Sequence, residues 1–167
     1  TYSSKDPKVL AVTESKLALL TPIAKAFLTE TGLESANHGI QVFGGHGFIQ
    51  EWGMEQLVRD TRICCLYEGT TGIQALDLLG RKVIGSQGEL LEIYLNEIEN
   101  FLTTMDEASM PKPCATLQQY VNQWRELTES ISVKAQESAD EIGAASVDYL
   151  MFSGYVCLAY YWLKMML

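Results

Sequence analysis

Residues 40–74 read IQVFGGHGFIQEWGMEQLVRDTRICCLYEGTTGIQ, and the fold turns on how this stretch is divided. Gly44, Gly45 and Gly47 close an apolar run, residues 52–67 hold a short helix and a turn, and a new helix is predicted from near Thr70, with Ile73, Leu76 and Val83 on one side. Upstream, Thr21-Pro22 has the form of a helix start, a capping hydroxyl before a residue with preset φ and no N–H. A helix is therefore predicted from Ile23 to Ile40, with Gly32 and Gly39 as weak points, and a shorter one from Val9 to Leu20. Downstream, Leu91, Tyr94, Leu95, Ile98, Leu102 and Met105 mark one helix, with Glu89, Glu92, Glu97 and Glu99 mainly on its other face. Met110-Pro111-Lys112-Pro113 reads as a break, because two prolines so close do not fit inside one helix. Leu117, Tyr120, Val121, Trp124, Leu127, Ile131 and Ala135 form the next stripe, and a last helix runs from about Glu141 to the end. No period-2 pattern of useful length occurs, so the expected fold class is all-α, a helical bundle.

At 167 residues, 47% hydrophobic and 20% charged, the chain has the size and composition of a folded domain. Its net charge of −9 repels phosphate backbones and anionic lipid, which sets nucleic acid and membrane surfaces aside as partners. The charge is uneven. Residues 1–85 carry eight basic and nine acidic side chains, residues 86–141 three and eleven, and residues 142–167 one of each. The acidic run is read as a solvated face, with a docking surface for a basic partner as the alternative. Cys64, Cys65, Cys114 and Cys157 lack any C-x-x-C spacing, which points to reduced, buried thiols in an intracellular protein. With only His38 and His46 beside them, no metal site is expected. The uncharged stretch Tyr149–Leu163 has 15 residues, shorter than the roughly 20 of a spanning helix, and is read as a buried helix. The opening TYSSKDPKVL has neither an initiator Met nor a leader pattern, and is read as the cut end of a longer chain.

The chemistry concentrates in residues 40–74. Glycines between Gln41 and Gly47 let a ligand reach the backbone, where free N–H groups can meet phosphate oxygens or a ring edge. The same glycines are also what a helix C-cap and tight turn require. Neither G-x-G-x-x-G after a strand nor a P-loop is present. Glu68, between Leu66-Tyr67 and Gly69-Thr70-Thr71-Gly72, can be a helix-favourable anion, or a general base if an apolar wall raises its pKa.

The succession Gln41-Val42-Phe43-Gly44-Gly45-His46-Gly47-Phe48, Glu55, Arg59-Asp60-x-Arg62-Ile63, Tyr67-Glu68-Gly69-Thr70 and Ile73-Gln74 resembles the C-terminal signature of the acyl-CoA dehydrogenase family, and Lys25-Ala26-Phe27 fits its preceding helix. The resemblance implies that residues 1–85 are the later part of that family's C-terminal four-helix bundle. Residues 86–167 look like part of the extra helical C-terminal domain of a longer subgroup, the 3-methylmercaptopropionyl-CoA dehydrogenase-like enzymes.

By that resemblance the cofactor is flavin adenine dinucleotide (FAD), the substrate an acyl-CoA thioester and the product a trans-2-enoyl-CoA. Glu68 is then the base for the α-proton, and its backbone N–H meets the thioester oxygen. Gln41, Val42, Phe43, Gly44 and Gly45 would touch the adenosine and pyrophosphate part of the flavin cofactor bound in a neighbouring subunit, and Thr70, Thr71 and Gly72 would make contacts that are also at an adenine end. Gly72 departs from the Gln of many relatives, so only backbone remains there. Arg59, Asp60 and Arg62 are read as a structural ion-pair group, with cofactor positioning as the alternative, and His46 receives no role. The family further implies a homo-oligomer, dimer or tetramer, an electron-transferring flavoprotein as acceptor, and a cytoplasmic, bacterial setting. An acyl-CoA oxidase and a non-catalytic helical assembly module are the competing readings. The isolated chain is expected to be colourless and inactive.

Overall fold

The computed structural model describes residues 6–105 and 111–166, and among these no strand occurs. The longest element, α1 (Pro7–Phe43), contains 37 residues and spans about 55 Å at 1.5 Å per residue. Asp6 caps it by accepting the Lys8 N–H at 2.9 Å, and Pro7 takes the first position, where a missing N–H costs nothing. The expected boundary at Thr21-Pro22 does not exist: Pro22 lies inside the continuous helix and is buried. A proline there costs the helix about 3 kcal/mol. Burial of Leu19, Ile23, Ala26 and Phe27 on the same face offsets it, and Thr21 Oγ1 donates to the Leu17 carbonyl at 2.6 Å. Gly32 and Gly39 do not interrupt the helix either.

After α1 come a one-turn helix α2 (Gly45–Phe48), a 3₁₀ turn (Gln50–Trp52), α3 (Met54–Arg62), a second 3₁₀ turn (Ile63–Cys65) and α4 (Thr71–Leu76). The last continues through Asp77–Ile84 as a π-helix, in which the Gly85 N–H reaches the Gly80 carbonyl at 2.9 Å. The inward set here is Ala75, Leu78, Leu79 and Val83, while Ile73 and Leu76 point outward, against the expected stripe. The small Ala75 hides the true face from a hydrophobicity count, and the wider π turn shifts the register beyond it.

Three longer helices complete the chain: α5 (Glu89–Thr104), α6 (Pro111–Glu137) and α7 (Asp140–Met165). Pro111 and Pro113 both lie in the first turn of α6, where N–H groups have no partner within the helix, so they open the helix and do not sit in a break. Met110, the first residue of the expected break, lies outside the described residues. On α6 the buried face is Leu117, Val121, Trp124, Thr128 and Ile131, and the expected Leu127 and Tyr120 are exposed. Thr128 can be buried because its hydroxyl donates to the Trp124 carbonyl and lies 2.7 Å from the Tyr149 hydroxyl, which itself accepts the Trp124 indole N–H at 2.9 Å.

All these faces meet in a single core containing Leu19, Leu79, Tyr94, Ile98, Trp124 and Tyr160. Helix α7 is long and apolar enough, by length and composition, to cross a membrane, yet nine of its residues are buried in the bundle, which is the packing of a core helix. At Gly154 it comes so close to α1 that a Cβ would lie 2.2 Å from the Phe27 ring.

Two expectations about side chains change. The acidic face of α5 is largely engaged within the chain: Arg125 forms a fork with Glu92 at 3.0 Å and Glu99 at 2.7 Å, and Lys16 pairs with Glu97. All four cysteines are free thiols, but only Cys65 and Cys157 are buried, while Cys64 and Cys114 are half-buried.

Candidate active site and cofactor-binding segments

The segment between α3 and α4 reverses the chain in a few residues. Leu66 and Tyr67 both donate to the Ile63 carbonyl, at 2.9 and 3.1 Å. Glu68 and Gly69 then adopt positive φ, +56° and +90°, and Thr70 returns to an extended conformation to open α4. Glycine is required at position 69, because φ there is left-handed and a Cβ would press to 3.0 Å on the Gln74 amide. For Glu68 the same region costs about 1–2 kcal/mol, so the surroundings must hold it.

They do so from two helices. Gln74 Nε2 of α4 donates to the Glu68 carbonyl at 2.9 Å. From α1, Lys25 Nζ donates to the Gly69 carbonyl at 2.5 Å, the Thr29 carbonyl accepts the Cys65 thiol at 3.4 Å, and the Glu30 carboxylate accepts the Thr71 hydroxyl. Lys25 and Thr29 lie one turn apart on α1, and Glu30 follows Thr29 directly. The Glu68 side chain itself is exposed, and its N–H meets no acceptor among the described residues. Beside it, the half-exposed Tyr67 phenol is pushed above its usual pKa by the Cys64 thiolate charge and then by the Glu68 carboxylate.

The other predicted segment, Gln41–Gly45, lies at the far end of α1. Gln41, Val42, Phe43, Gly44 and Gly45 are all exposed, Val42 at 84%, and a Cβ added at Gly44, Gly45 or Gly72 would meet no atom within 4 Å. Thr71 contacts Glu30, eleven residues before Gln41, so the segments Gln41–Gly45 and Thr70–Gly72 are separated by about 16 Å along the α1 axis. They do not form one pocket within this chain. At both segments open glycine backbone lies next to uncovered apolar side chains, which leaves room for a ligand to approach the main chain.

Arg59, Asp60 and Arg62 do not pair with one another. Asp60 accepts from Gln56 Nε2 at 2.6 Å, and among the described residues neither arginine has a carboxylate partner. Instead they border an open concavity of about 1020 Å³ between the second half of α1 and α3, walled by Leu33, Ile40, Phe48, Val58, Ile63 and Leu66. Sequence reasoning missed this surface. Its signal was the seven-residue spacing of Leu33 and Ile40, which continues the stripe of α1 past the point where the core ends. Phe48 (76% exposed), Trp52, Leu57, Tyr67 and Ile73 extend the uncovered apolar area.

Two family models match the chain: "Acyl-CoA dehydrogenase, C-terminal domain" over residues 10–83 and "Acetyl-CoA dehydrogenase C-terminal like" over residues 94–167. Among curated proteins, a 3-methylmercaptopropionyl-CoA dehydrogenase of Ruegeria pomeroyi is 35% identical over 86% of the chain and 25% of its own length. A butyryl-CoA dehydrogenase of Syntrophomonas wolfei is 29% identical over 75% of the chain and 21% of its own length. A broad-specificity linear acyl-CoA dehydrogenase of Mycobacterium tuberculosis, FadE5, is 37% identical over 50% of the chain and 14% of its own length. The chain thus spans about a quarter or less of the curated relatives it matches.

Proposed function

The chain belongs to the acyl-CoA dehydrogenase family through its helical C-terminal region, and from that premise we propose that it supplies the base and part of the cofactor surface for α,β-dehydrogenation of an acyl-CoA thioester. The observation that carries this reading is the turn Tyr67-Glu68-Gly69-Thr70, in which a left-handed glutamate presents an exposed carboxylate and an unbonded N–H together. A carboxylate and an N–H donor from one residue suit a substrate that loses a proton next to a carbonyl. The carboxylate takes the α-proton while the N–H stabilises charge on the thioester oxygen. A glutamate is a weak base for such a carbon, so the N–H at the thioester oxygen has to lower the barrier from the substrate side by stabilising the developing charge. Flavin adenine dinucleotide, when bound, supplies the acceptor for the β-hydride, which completes the two-electron balance and gives a trans-2-enoyl-CoA.

Gln41–Gly45 and Thr70–Gly72 are the segments that would hold the cofactor. Their separation along α1 supports contacts to two cofactor molecules, one of them from a neighbouring subunit. The uncovered apolar side chains around the concavity, among them Phe48, Ile63 and Leu66, support a homo-oligomer, since exposed apolar area of this kind marks interfaces. The organisation into residues 1–85 and 86–167, a cytoplasmic setting without a membrane span, and an electron-transferring flavoprotein as acceptor belong to the same reading. The matches over 10–83 and 94–167 support the division.

Glu68→Gln in the flavin-loaded enzyme that carries this chain tests the assignment. Rapid mixing with an acyl-CoA is expected to show flavin absorbance near its oxidised level for at least about 100-fold longer than in the parent, a typical loss for a removed general base. Flavin occupancy should be unchanged. Reduction at the parental rate would remove Glu68 from the mechanism.

A further inference from the structure

The turn that carries Glu68 is held by side chains that the reaction itself does not consume. Glu68 and Gly69 are consecutive left-handed residues, and their two carbonyls point to different helices. Gln74 of α4 donates to the first carbonyl and Lys25 of α1 to the second, at 2.9 and 2.5 Å. Lys25 is half-buried, and its ammonium serves a backbone acceptor and not a carboxylate. The charge-assisted hydrogen bond to the Gly69 carbonyl offsets the partial loss of water and ties the turn to α1. What it fixes is the peptide plane between Gly69 and Thr70, while Gln74 fixes the plane between Glu68 and Gly69. The first of the two turn carbonyls belongs to Glu68 itself, so holding these planes restricts how the Glu68 backbone turns and where its carboxylate is aimed.

We propose that Lys25 and Gln74 are positioning residues for Glu68, acting from two helices on the two carbonyls of its turn. The proposal rests on the reading of Glu68 as the base. Without Lys25, the Gly69 carbonyl is left to water, and the left-handed Glu68 can relax toward the ordinary right-handed region, moving its carboxylate by more than the tolerance of a proton transfer. A displacement of about 1 Å at a reacting group can cost about 100-fold in rate. Lys25→Arg keeps a cationic donor on a stem of similar length, and so should restore the contact that Lys25→Met removes. The polar pair on Glu30 and Thr71 and the Cys65 thiol on Thr29 stay in place in both variants, which keeps the rest of the turn attached to α1.

The test uses the flavin-loaded enzyme that carries this chain. Lys25→Met is expected to slow flavin reduction by acyl-CoA by about 10- to 100-fold, with KM and flavin occupancy within about twofold of the parent. Lys25→Arg should recover most of that loss, and Gln74→Leu should give a smaller loss of the same kind. In the Glu68→Gln background, Lys25→Met should have no further effect on the rate, because there is no base left to aim. A readout independent of turnover is hydrogen exchange of the bonded amides around the turn, Tyr67 on the Ile63 carbonyl and Gln74 on the Thr70 carbonyl. It should rise at least about tenfold in Lys25→Met, while exchange in α1 and α5 stays at parental values. Parental reduction rate in Lys25→Met, or an equal loss in Lys25→Arg, overturns the positioning role, as does additivity with Glu68→Gln. If Glu68→Gln itself reduces flavin at the parental rate, the base reading fails instead. The exchange experiment then still decides whether Lys25 holds the turn. Should Lys25→Met fail to fold, Gln74→Leu and Lys25→Arg carry the same comparison.

Discussion

Inside the core, the Tyr94 hydroxyl makes no hydrogen bond of good geometry among the described residues and lies near the Cys157 thiol and the Tyr161 hydroxyl. Burial, more than any neighbour, pushes its pKa upward, and burial likewise pushes the Cys157 thiol to about 12, so both groups stay neutral in the physiological range. A buried hydroxyl without a good partner costs about 1–3 kcal/mol, whereas the ring beneath it packs edge-on against Trp124 and Tyr160 at 6.4 and 6.1 Å. Tyr94→Phe keeps those ring contacts and deletes only the oxygen. It is expected to leave stability unchanged or raise it by up to about 1 kcal/mol, read from urea unfolding. A loss larger than that would mean that the hydroxyl has a partner worth keeping. Tyr149 is the contrast: its hydroxyl is fully used by Trp124 and Thr128, although burial still pushes its pKa to about 12. Glu68 shows how much of the site could be read from residues alone. Its neighbours Gly69 and Thr70 identify a turn, but the Lys25 that holds it is 44 positions away from the carbonyl it serves, on a helix whose partner is set by packing.

At the scale of elements, helices with their apolar residues in an unbroken stripe were legible and irregular ones were not. The spacing of Leu91, Tyr94, Leu95 and Ile98 locates α5, and all four residues are buried as expected. Pro22 misled because helix-start signals are local, whereas the decision to continue α1 past it is made by Leu19, Ile23 and Phe27 burying against distant helices. The π-helical continuation of α4 misled in the same way, since its register depends on i→i+5 bonds that no hydrophobicity period reveals. The contact between α1 and α7 at Gly154 offers a measurement on packing. In an open helix Gly→Ala gains about 1 kcal/mol from helix propensity. Here the new Cβ would lie 2.2 Å from Cδ2, 2.3 Å from Cγ and 2.9 Å from Cβ of Phe27, and the last of these is tied to the α1 backbone. Gly154→Ala is therefore expected to destabilise by about 1–3 kcal/mol despite its better propensity. Phe27→Ala should cost less in the Gly154→Ala background than in the parent, because the ring and the new methyl compete for one space. Additive losses would show that α7 simply moves away.

For the whole molecule, the charge that composition placed on residues 86–141 becomes a set of ties between helices. Glu97 of α5 receives Lys16 of α1 and the Tyr160 hydroxyl of α7, and Arg125 of α6 forks onto Glu92 and Glu99 of α5. The two regions matched by separate family models are joined through α5 by charge as well as by the common core. Glu99 is held below the usual carboxylate range, first by its hydrogen bonds from Arg125, against some burial. For Glu97 burial is the largest influence and acts upward, but the Lys16 contact and the Tyr160 hydrogen bond outweigh it and the net direction is down. A carboxylate with a lowered folded pKa adds stability that is fully present above its unfolded value, about 4.3, and is lost as pH falls through the folded value. Stability should therefore fall as pH drops from 7 to 3. Arg125 is 29% exposed and Glu99 30%, so solvent screens the fork only in part. Arg125→Met, which keeps much of the aliphatic stem, is expected to cost about 1–2 kcal/mol at pH 7. The difference between parent and variant should shrink towards zero by pH 3, as the carboxylates protonate, when urea midpoints are compared at both values. A gap of equal size at pH 7 and pH 3 would assign the contribution of Arg125 to packing of its stem, and would leave the acidic face of α5 without a structural use for its charge.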